Sequence, residues 1–597
     1  MTFLHLGTRS ERWLILIVLV GHLLLSLGFS LGPLFEGPDE IEHYRFARTL
    51  ASNRALPDPY SRLRSEYHQP PLYYFLLVPL AWLVEDDDFT QIEGRLNPFY
   101  GANIHLPGND NKNLYLHSRA ELFPYNRSGT ARAVHLMRLV SVVLSLGTLL
   151  ACYATFRVLW PENVAQRLLA LGIAGFWPQV LFLSGMITND NLLIFLSTAT
   201  LWLLIRQVRH GATRRSALAL GVVTGAALLT KVSAFFLGLP VALAFALDRR
   251  AWRYIPLTLG TVMLIAGWWY VRNLIQFGDP SLTNAVLQTW QSEVIRPKEL
   301  ALDVGWQRLP FAYETVWARF GQGAVAVAKP IEVFFDVLVA VSLAGLFVTS
   351  VLHLIRHRSH ASNRLALKLM FVIVIFVSSW IGVLLYWAST AWSGNQGRYV
   401  LPGLAGWSAL IALGVLSWFP HRIRGSIALL GIGANALIAT WSLWGSYLPA
   451  YRPSPMPQVI ARPLYLEFEG VARLIGMAPA TINAQPGETI RLSLYWQALQ
   501  PADRNLLVYI HSVETTLVRR DSFPATGNML ATEWQNGDTW AEHYVVTIPP
   551  DVAAPLDDLL IAGLYDPQAG RPLQAYDESA QPITPIINTL TITVPAK

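Results

Sequence analysis

The chain has 597 residues, of which 53% are apolar and only 14% charged, with 21 tryptophans and a net charge of +6. Soluble proteins are charged at about a quarter of their positions, so this chain cannot cover itself with polar surface, and part of its solvent is lipid. The basic residues are scattered between apolar spans, which argues against a nucleic-acid partner. The single cysteine, Cys152, excludes a disulfide framework or a cysteine-based metal site within the chain.

In chain order, the first apolar segment, Trp13–Leu34, follows Arg9 and Arg12. It is about as long as a bilayer is thick and no A-x-A site follows, so an uncleaved first helix is expected. Further apolar spans lie near 133–157, 166–187, 190–206, 216–231, 233–248, 254–276, 330–355, 366–390, 400–419 and 425–447. Alternate connectors are rich in arginine: Arg157 and Arg167; Arg206, Arg209, Arg214 and Arg215; Arg249, Arg250 and Arg253; Arg356, Arg358, Arg364 and Lys368; Arg422 and Arg424. The other connectors hold Thr188-Asn189-Asp190, the surroundings of Lys231, and Ser393-Gly394-Asn395-Gln396. Short arginine-rich loops stay in the cytoplasm. The pattern therefore predicts a multi-pass protein of the cell (plasma or inner) membrane, with about eleven transmembrane helices and a cytoplasmic N-terminus.

Pro70–Val84 is apolar but shorter than the usual spanning range. Were it to cross, every later arginine cluster would lie outside. It is therefore read as a helix in the outer interface, anchored by Tyr73, Tyr74 and Trp82. Residues 35–132 then form a first extracytoplasmic loop, and residues 85–132 and 278–329 are long outer segments of the kind that carry function. Beyond about residue 455, short alternating or apolar runs (Thr489–Trp496, Leu506–His511, Tyr544–Ile548, Ile587–Val594) are separated by Gly, Pro, Asn and Asp. They predict a β-sandwich. The expected organisation is a membrane domain at 1–454 and an extracytoplasmic β-sandwich at 455–597. Its Trp496, Trp534, Trp540 and Tyr565 read as core or as sugar-binding faces.

Three groups of residues carry candidate chemistry. Glu36-Gly37-Pro38-Asp39-Glu40-Ile41-Glu42-His43 puts four carboxylates and a histidine just beyond a membrane helix. They suit a general base or a hard-ligand metal site, and equally a solvated acidic helix start. His68-Gln69-Pro70-Pro71 fixes an extended approach to the interfacial helix and places His68 at the membrane surface, or is only a rigid turn. Arg138, Lys231, Arg272 and Arg398 sit at outer helix ends, where they either snorkel or build a phosphate cradle. Asn189, Asp190 and Tyr399 reach that same face.

Together these residues resemble the membrane glycosyltransferases of the GT-C fold, in particular the protein O-mannosyltransferase and aminoarabinose transferase group. The resemblance covers most of residues 1–450 and rests on a few short motifs. Asp39-Glu40 matches the family's acidic pair, and His68-Gln69-Pro70-Pro71 its His-Pro-Pro motif with one residue inserted. Arg138 matches an arginine near the outer start of the second helix. The Thr-Asn-Asp, Trp-Tyr-x-Arg-Asn and Gln-Gly-Arg-Tyr elements are similar to those of bacterial members. The resemblance implies transfer of a sugar from a polyprenyl-phosphate carrier to a protein, lipid or glycan acceptor, with inversion. Asp39 would be the general base, and Glu40 would position the acceptor or share that task. His68, Arg138, Asn189, Asp190, Lys231, Arg272, Arg398 and Tyr399 would bind substrate or the lipid phosphate. It implies no obligatory metal or other cofactor. Competing readings are a flippase for lipid-linked sugars, a scaffold displaying the β domain, and a ligase using a polyprenyl-diphosphate glycan.

Overall fold

The computed structural model describes residues 8–61, 65–100, 112–296, 299–356 and 361–593. Among them, eight helices are long and apolar enough to cross a bilayer: Arg9–Ser30, Gly129–Leu159, Asp190–His210, Arg249–Phe277, Lys329–Val351, Arg364–Thr390, Gly397–Ser417 and Arg424–Ala450. The chain is a polytopic helical membrane protein with a C-terminal β domain.

Eight of the eleven expected spans coincide with these long helices, and the other three do not. The span near 166–187 is broken into Val164–Gly175 and Pro178–Ser184, bent by 54°. Pro178 lacks the N–H that would continue the first helix. The spans near 216–231 and 233–248 are the helix Arg214–Leu228 and the apolar stretch Val232–Ala246. At about 1.5 Å per residue, either falls short of a roughly 30 Å hydrocarbon core. Lys231 Nζ lies 2.6 Å from Asp190, the first residue of its neighbouring helix. Lys368 Nζ donates to the Leu247 carbonyl at 3.0 Å, beside the arginine-rich end.

Small residues let the helices close on one another. A Cβ on Gly414 would lie 2.2 Å from the Ser342 carbonyl oxygen, and one on Gly345 2.1 Å from that of Gly414. Backbones this close gain dispersion contacts that lipid cannot match.

The first helix ends at Ser30, four residues before the expected boundary, and the chain turns into the helix Glu40–Asn53. The apolar segment near 70–84 is the short helix Leu72–Ala81, preceded by Pro71 and interrupted by Pro79. It lies against Glu40–Asn53, with the Phe46 and Tyr74 rings stacked 3.8 Å apart. Here the expectation of interfacial anchors is corrected. Tyr73 and Tyr74 are fully buried, and only Trp82 stays exposed, its indole N–H donating to the Ala51 carbonyl at 3.1 Å. Apolarity told that these rings leave water but not whether lipid or protein receives them.

Residues 278–329 carry the helices Thr283–Thr289, Leu302–Gln307 and Leu309–Trp317, then a two-stranded hairpin at Arg319–Phe320 and Val325–Ala326. Residues 101–111, inside the Asn-rich segment 85–132, lie outside the described residues.

The C-terminal domain begins with the strand Arg462–Phe468 and consists of two six-stranded sheets. One contains Arg462–Phe468, Ala472–Ala478, Thr489–Ala498 and Thr539–Thr547 in neighbouring order. The other is built around Leu556–Asp566, flanked by Ile586–Ile592 and Leu507–Ser512. Alternate residues of both sheets meet in one apolar core. Trp496, Trp534 and Trp540 belong to that core, buried and ring against ring, and so do not offer sugar-binding faces. Tyr565 packs with Leu507, Phe523 and Leu530 against Leu116 of the first loop.

Candidate active site

Asp39 precedes the helix Glu40–Asn53 in a left-handed conformation (φ 57°), and Phe35 adopts another (φ 61°). Each costs a non-glycine residue about 1–2 kcal/mol. An acidic residue before a helix ordinarily caps it, but the Asp39 side chain makes no cap hydrogen bond. Its carboxylate turns instead to the guanidinium of Arg398. That separates a directed carboxylate from a solvated acidic helix start.

Arg398 also donates to the Pro38 carbonyl (3.4 Å) and lies 3.7 Å from Asp190. Asp190 in turn accepts from Lys231 at 2.6 Å. Asp39, Arg398, Asp190 and Lys231 thus form an alternating chain of charge, with the Tyr399 ring beneath both cations at 5.3 Å and 5.8 Å. Burial pushes the Asp39 carboxyl up, but Arg398, assisted by His43 and Lys231, outweighs it and holds the group at about 2. Asp39 is therefore ionised at any ordinary pH. His43 bonds Tyr74 Oη (2.8 Å) through Nδ1 and faces Thr188 Oγ1 (3.5 Å) through Nε2. Burial first, and then the nearby cations, press it down to about 3, the Asp39 and Asp190 charges notwithstanding.

Glu40 and Arg138 come together elsewhere. Arg138 donates Nε–H and one Nη2–H to the two Glu40 oxygens (2.8 and 2.7 Å), and its other protons to the carbonyls of Ser30, Gly32 and Pro33. All five donors of the guanidinium are used. Glu40 also accepts from the backbone N–H of Phe35 and Ile187 at 3.1 and 2.9 Å. Both side chains are fully buried. The expectations of Arg138 in a phosphate cradle and of Glu40 at the acceptor are corrected, because neither has capacity left for a ligand. Their pair ties the loop after the first helix to the second span.

Lys231 faces a cavity of about 490 Å³ beside His68, Gln69 and Ser233. Its remaining walls are largely apolar, including Phe235, Phe236, Val383, Tyr386 and Trp387, and Arg296 and Glu299 also line it. His68 is buried in this wall rather than exposed at the membrane surface, with Nε2 3.5 Å from Glu66 and 3.1 Å from Gln69. Burial lowers His68 to about 4. Burial, then the Asp39 charge, raises Glu66 to about 8. Burial thus disfavours charge on both members of this pair. Among the described residues, the buried atoms Asn189 Oδ1, Gln69 Oε1 and Arg398 Nε around the site find no hydrogen-bond partner. Such atoms call for water or a ligand.

Of the residues expected here, Asp39, Asp190, Lys231, Arg398 and Tyr399 converge, and His68 lines the adjoining cavity. Asn189 donates to the Thr230 carbonyl at 3.3 Å and so helps seat Lys231. Arg272 does not join them: its contacts are with Asn273 (2.9 Å) and the Phe277 ring. Among the described residues, no group of three or more His, Cys, Asp and Glu side chains is placed to hold a metal. The hard-ligand set around Asp39 is broken up by the Glu40–Arg138 pair. Glu66 and the role of Tyr74 were not read from the sequence, since only a contact with His68 or His43 distinguishes them. Glu36, counted among the four carboxylates, turns away from the site to the segment 114–117.

The sequence model of the dolichyl-phosphate-mannose-protein mannosyltransferase family matches residues 133–270. No curated protein sequence matches. The structure overlays in part on ArnT from Cupriavidus metallidurans bound to undecaprenyl phosphate: 14% identity, 73% of this chain, 70% of that chain, TM-score 0.44. It overlays similarly on the Archaeoglobus fulgidus oligosaccharyltransferase with 14% identity, 71% of this chain, 53% of that one and a TM-score of 0.41. The S. cerevisiae Pmt1–Pmt2 complex bound to its sugar donor gives 17% identity, 47% and 35%, and a TM-score of 0.31. Across residues 133–270 the chain carries the sequence pattern of the dolichyl-phosphate-mannose-protein mannosyltransferases.

Proposed function

We propose that this protein transfers a sugar from a polyprenyl-phosphate donor to a hydroxyl acceptor at the extracytoplasmic face of the cell membrane. One observation carries the reading. An ionised, partly accessible carboxylate, Asp39, touches a buried cationic chain that ends at Lys231, on the wall of a largely apolar cavity. That is the division of labour such a donor requires. The isoprenoid chain lies against the apolar wall, and Lys231 and Arg398 take the phosphate. Asp39 removes the proton of the acceptor hydroxyl as its oxygen bonds the anomeric carbon. The bond from that carbon to the phosphate oxygen breaks with its electron pair, so polyprenyl phosphate leaves as an anion without a general acid. A single displacement inverts the anomeric configuration. Arg398 pairs with Asp39 when the site is empty, and an arriving phosphate competes for the guanidinium and restores the basicity of the carboxylate. On this reading the helix pair Arg214–Leu228 and Val232–Ala246 counts as two further crossings, eleven in all, with the Asp39 loop and the β domain outside.

The test is reconstitution in liposomes with candidate polyprenyl-phosphate sugars, comparing wild type with Asp39→Asn. Transfer by the variant is expected to fall by about 100-fold or more. Unchanged transfer would remove Asp39 as the base. Movement of lipid-linked sugar across the bilayer without transfer would make the protein a transporter.

A further inference from the structure

The reaction proposed above assigns nothing to the C-terminal domain, yet that domain is seated on a segment that leads to Asp39. Three residues before Asp39, the buried Glu36 carboxylate accepts from the backbone N–H of Leu114 and Tyr115, both at 3.0 Å, and pairs with His117 Nε2 at 2.9 Å. The same segment meets the β domain on its other side. The His117 backbone N–H donates to the Gly527 carbonyl at 2.8 Å. Asn113 donates to Asn528 at 2.6 Å. Glu533 accepts from Ser118 Oγ (2.5 Å) and the Arg119 N–H (2.7 Å), and Arg119 pairs with Asp538 at 2.5 Å. Leu116 fills an apolar seat formed by Leu507, Phe523 and Leu530. His117 therefore bridges the two partners, with its ring on the Asp39 loop and its main chain on the β domain.

The loop needs such support. Phe35 and Asp39 are both left-handed, and the chain between them makes its turn with Glu36 bound to segment 114–117 and Glu40 bound to Arg138. One anchor belongs to the membrane bundle. The other is the segment 113–119, which is held on one side by residues 95–97 of the same loop and on the other by the β domain. On the loop side the Asn97 N–H donates to the Leu114 carbonyl and the Leu116 N–H to the Arg95 carbonyl, both at 2.9 Å.

We propose that the C-terminal β domain keeps the Asp39 loop in its working geometry through a clasp in which Glu36 and His117 are positioning residues. The proposal rests on Asp39 being the base only for its kinetic consequence; the mechanical link stands apart from the chemistry. Strained loops persist only where the surroundings over-determine them, and here part of that surrounding is supplied by the other domain.

The test uses the full chain in two forms, Glu36→Gln at the inner end of the clasp and Glu533→Gln with Asp538→Asn at the outer end. Hydrogen exchange is read at residues 34–43, at 112–121, and at the strands 489–498 and 539–547 as a check that the β domain stays folded. Loss of a net hydrogen bond is expected to speed exchange at 34–43 by about tenfold in both forms, with the strands unchanged. If the outer variant loosens 112–121 and leaves 34–43 as protected as in wild type, the clasp does not transmit and the proposal is overturned. In transfer assays both variants should lose kcat at nearly constant KM for the lipid donor; a raised donor KM with kcat intact would equally overturn it. Absence of transfer by the wild-type protein with every donor would reject the functional reading and leave the exchange result to decide the clasp.

Discussion

Two arginines at helix ends, Arg138 and Arg398, differ in what they bind. Arg138 spends all its donors inside the bundle. Among the described residues Arg398 keeps a buried Nε with no partner, and it binds Asp39, a carboxylate that is also partly exposed. The difference gives a pH prediction. Asp39 sits at about 2 because Arg398, with His43 and Lys231, overcomes the upward push of burial. A depressed carboxyl keeps its charge, and its contribution, until pH falls through that low value. Transfer by wild type should therefore show no acid limb from Asp39 between roughly pH 5 and 7. In Arg398→Gln, burial is less opposed, the Asp39 value rises, and an acid limb should move upward while kcat/KM falls. A profile identical in shape to wild type would mean that Arg398 does not set the state of Asp39. Asp39, Asp190, Lys231 and Arg398 were legible in the sequence because charge at an apolar helix end is expensive and therefore conspicuous. The pairing Glu40–Arg138 was not, since both residues carry the same signal as the functional ones.

Among the elements, hydropathy located the helices but misjudged how some of them are used. In the helix Leu72–Ala81 the tyrosines were expected to anchor at the lipid interface, and instead Tyr73 and Tyr74 are buried, bonded to the Thr188 N–H and to His43. An apolar run of this length suits a bilayer surface and a protein core alike. Close helix approach at glycine was equally silent in the sequence. The Lys329–Arg356 and Leu404–Ser417 helices touch at Gly345 and Gly414. Gly414→Val should force them apart at a cost of about 1–3 kcal/mol, read as a lower thermal midpoint of the detergent-solubilised protein. An unchanged midpoint would show that this crossing is looser than described.

For the whole molecule the open quantity is sidedness, which depends on the parity of crossings. Losing both short segments, Arg214–Leu228 and Val232–Ala246, from the count leaves the sides of every other loop unchanged, whereas losing one inverts all that follows. Cys152 is buried, so a single introduced cysteine reports cleanly. Ser579→Cys, exposed in the β domain, should react with an impermeant thiol reagent on intact cells, and Thr213→Cys only after permeabilisation. Labelling of both from the same side would sink the topology.

By itself the sequence determined the membrane class, the positions of the long helices, the β domain, and the acidic loop and basic residues at helix ends. These follow from local quantities, namely runs of apolar residues, alternation and the cost of charge in lipid. Only the tertiary structure decided which acid meets which base, that His68 and the tyrosines face inward, and that the β domain grips the segment bound to Glu36. Such matters depend on contacts between residues as far apart as 39 and 398, or 117 and 527. A pairing over that distance leaves no periodicity along the chain, because either partner would look the same beside any other.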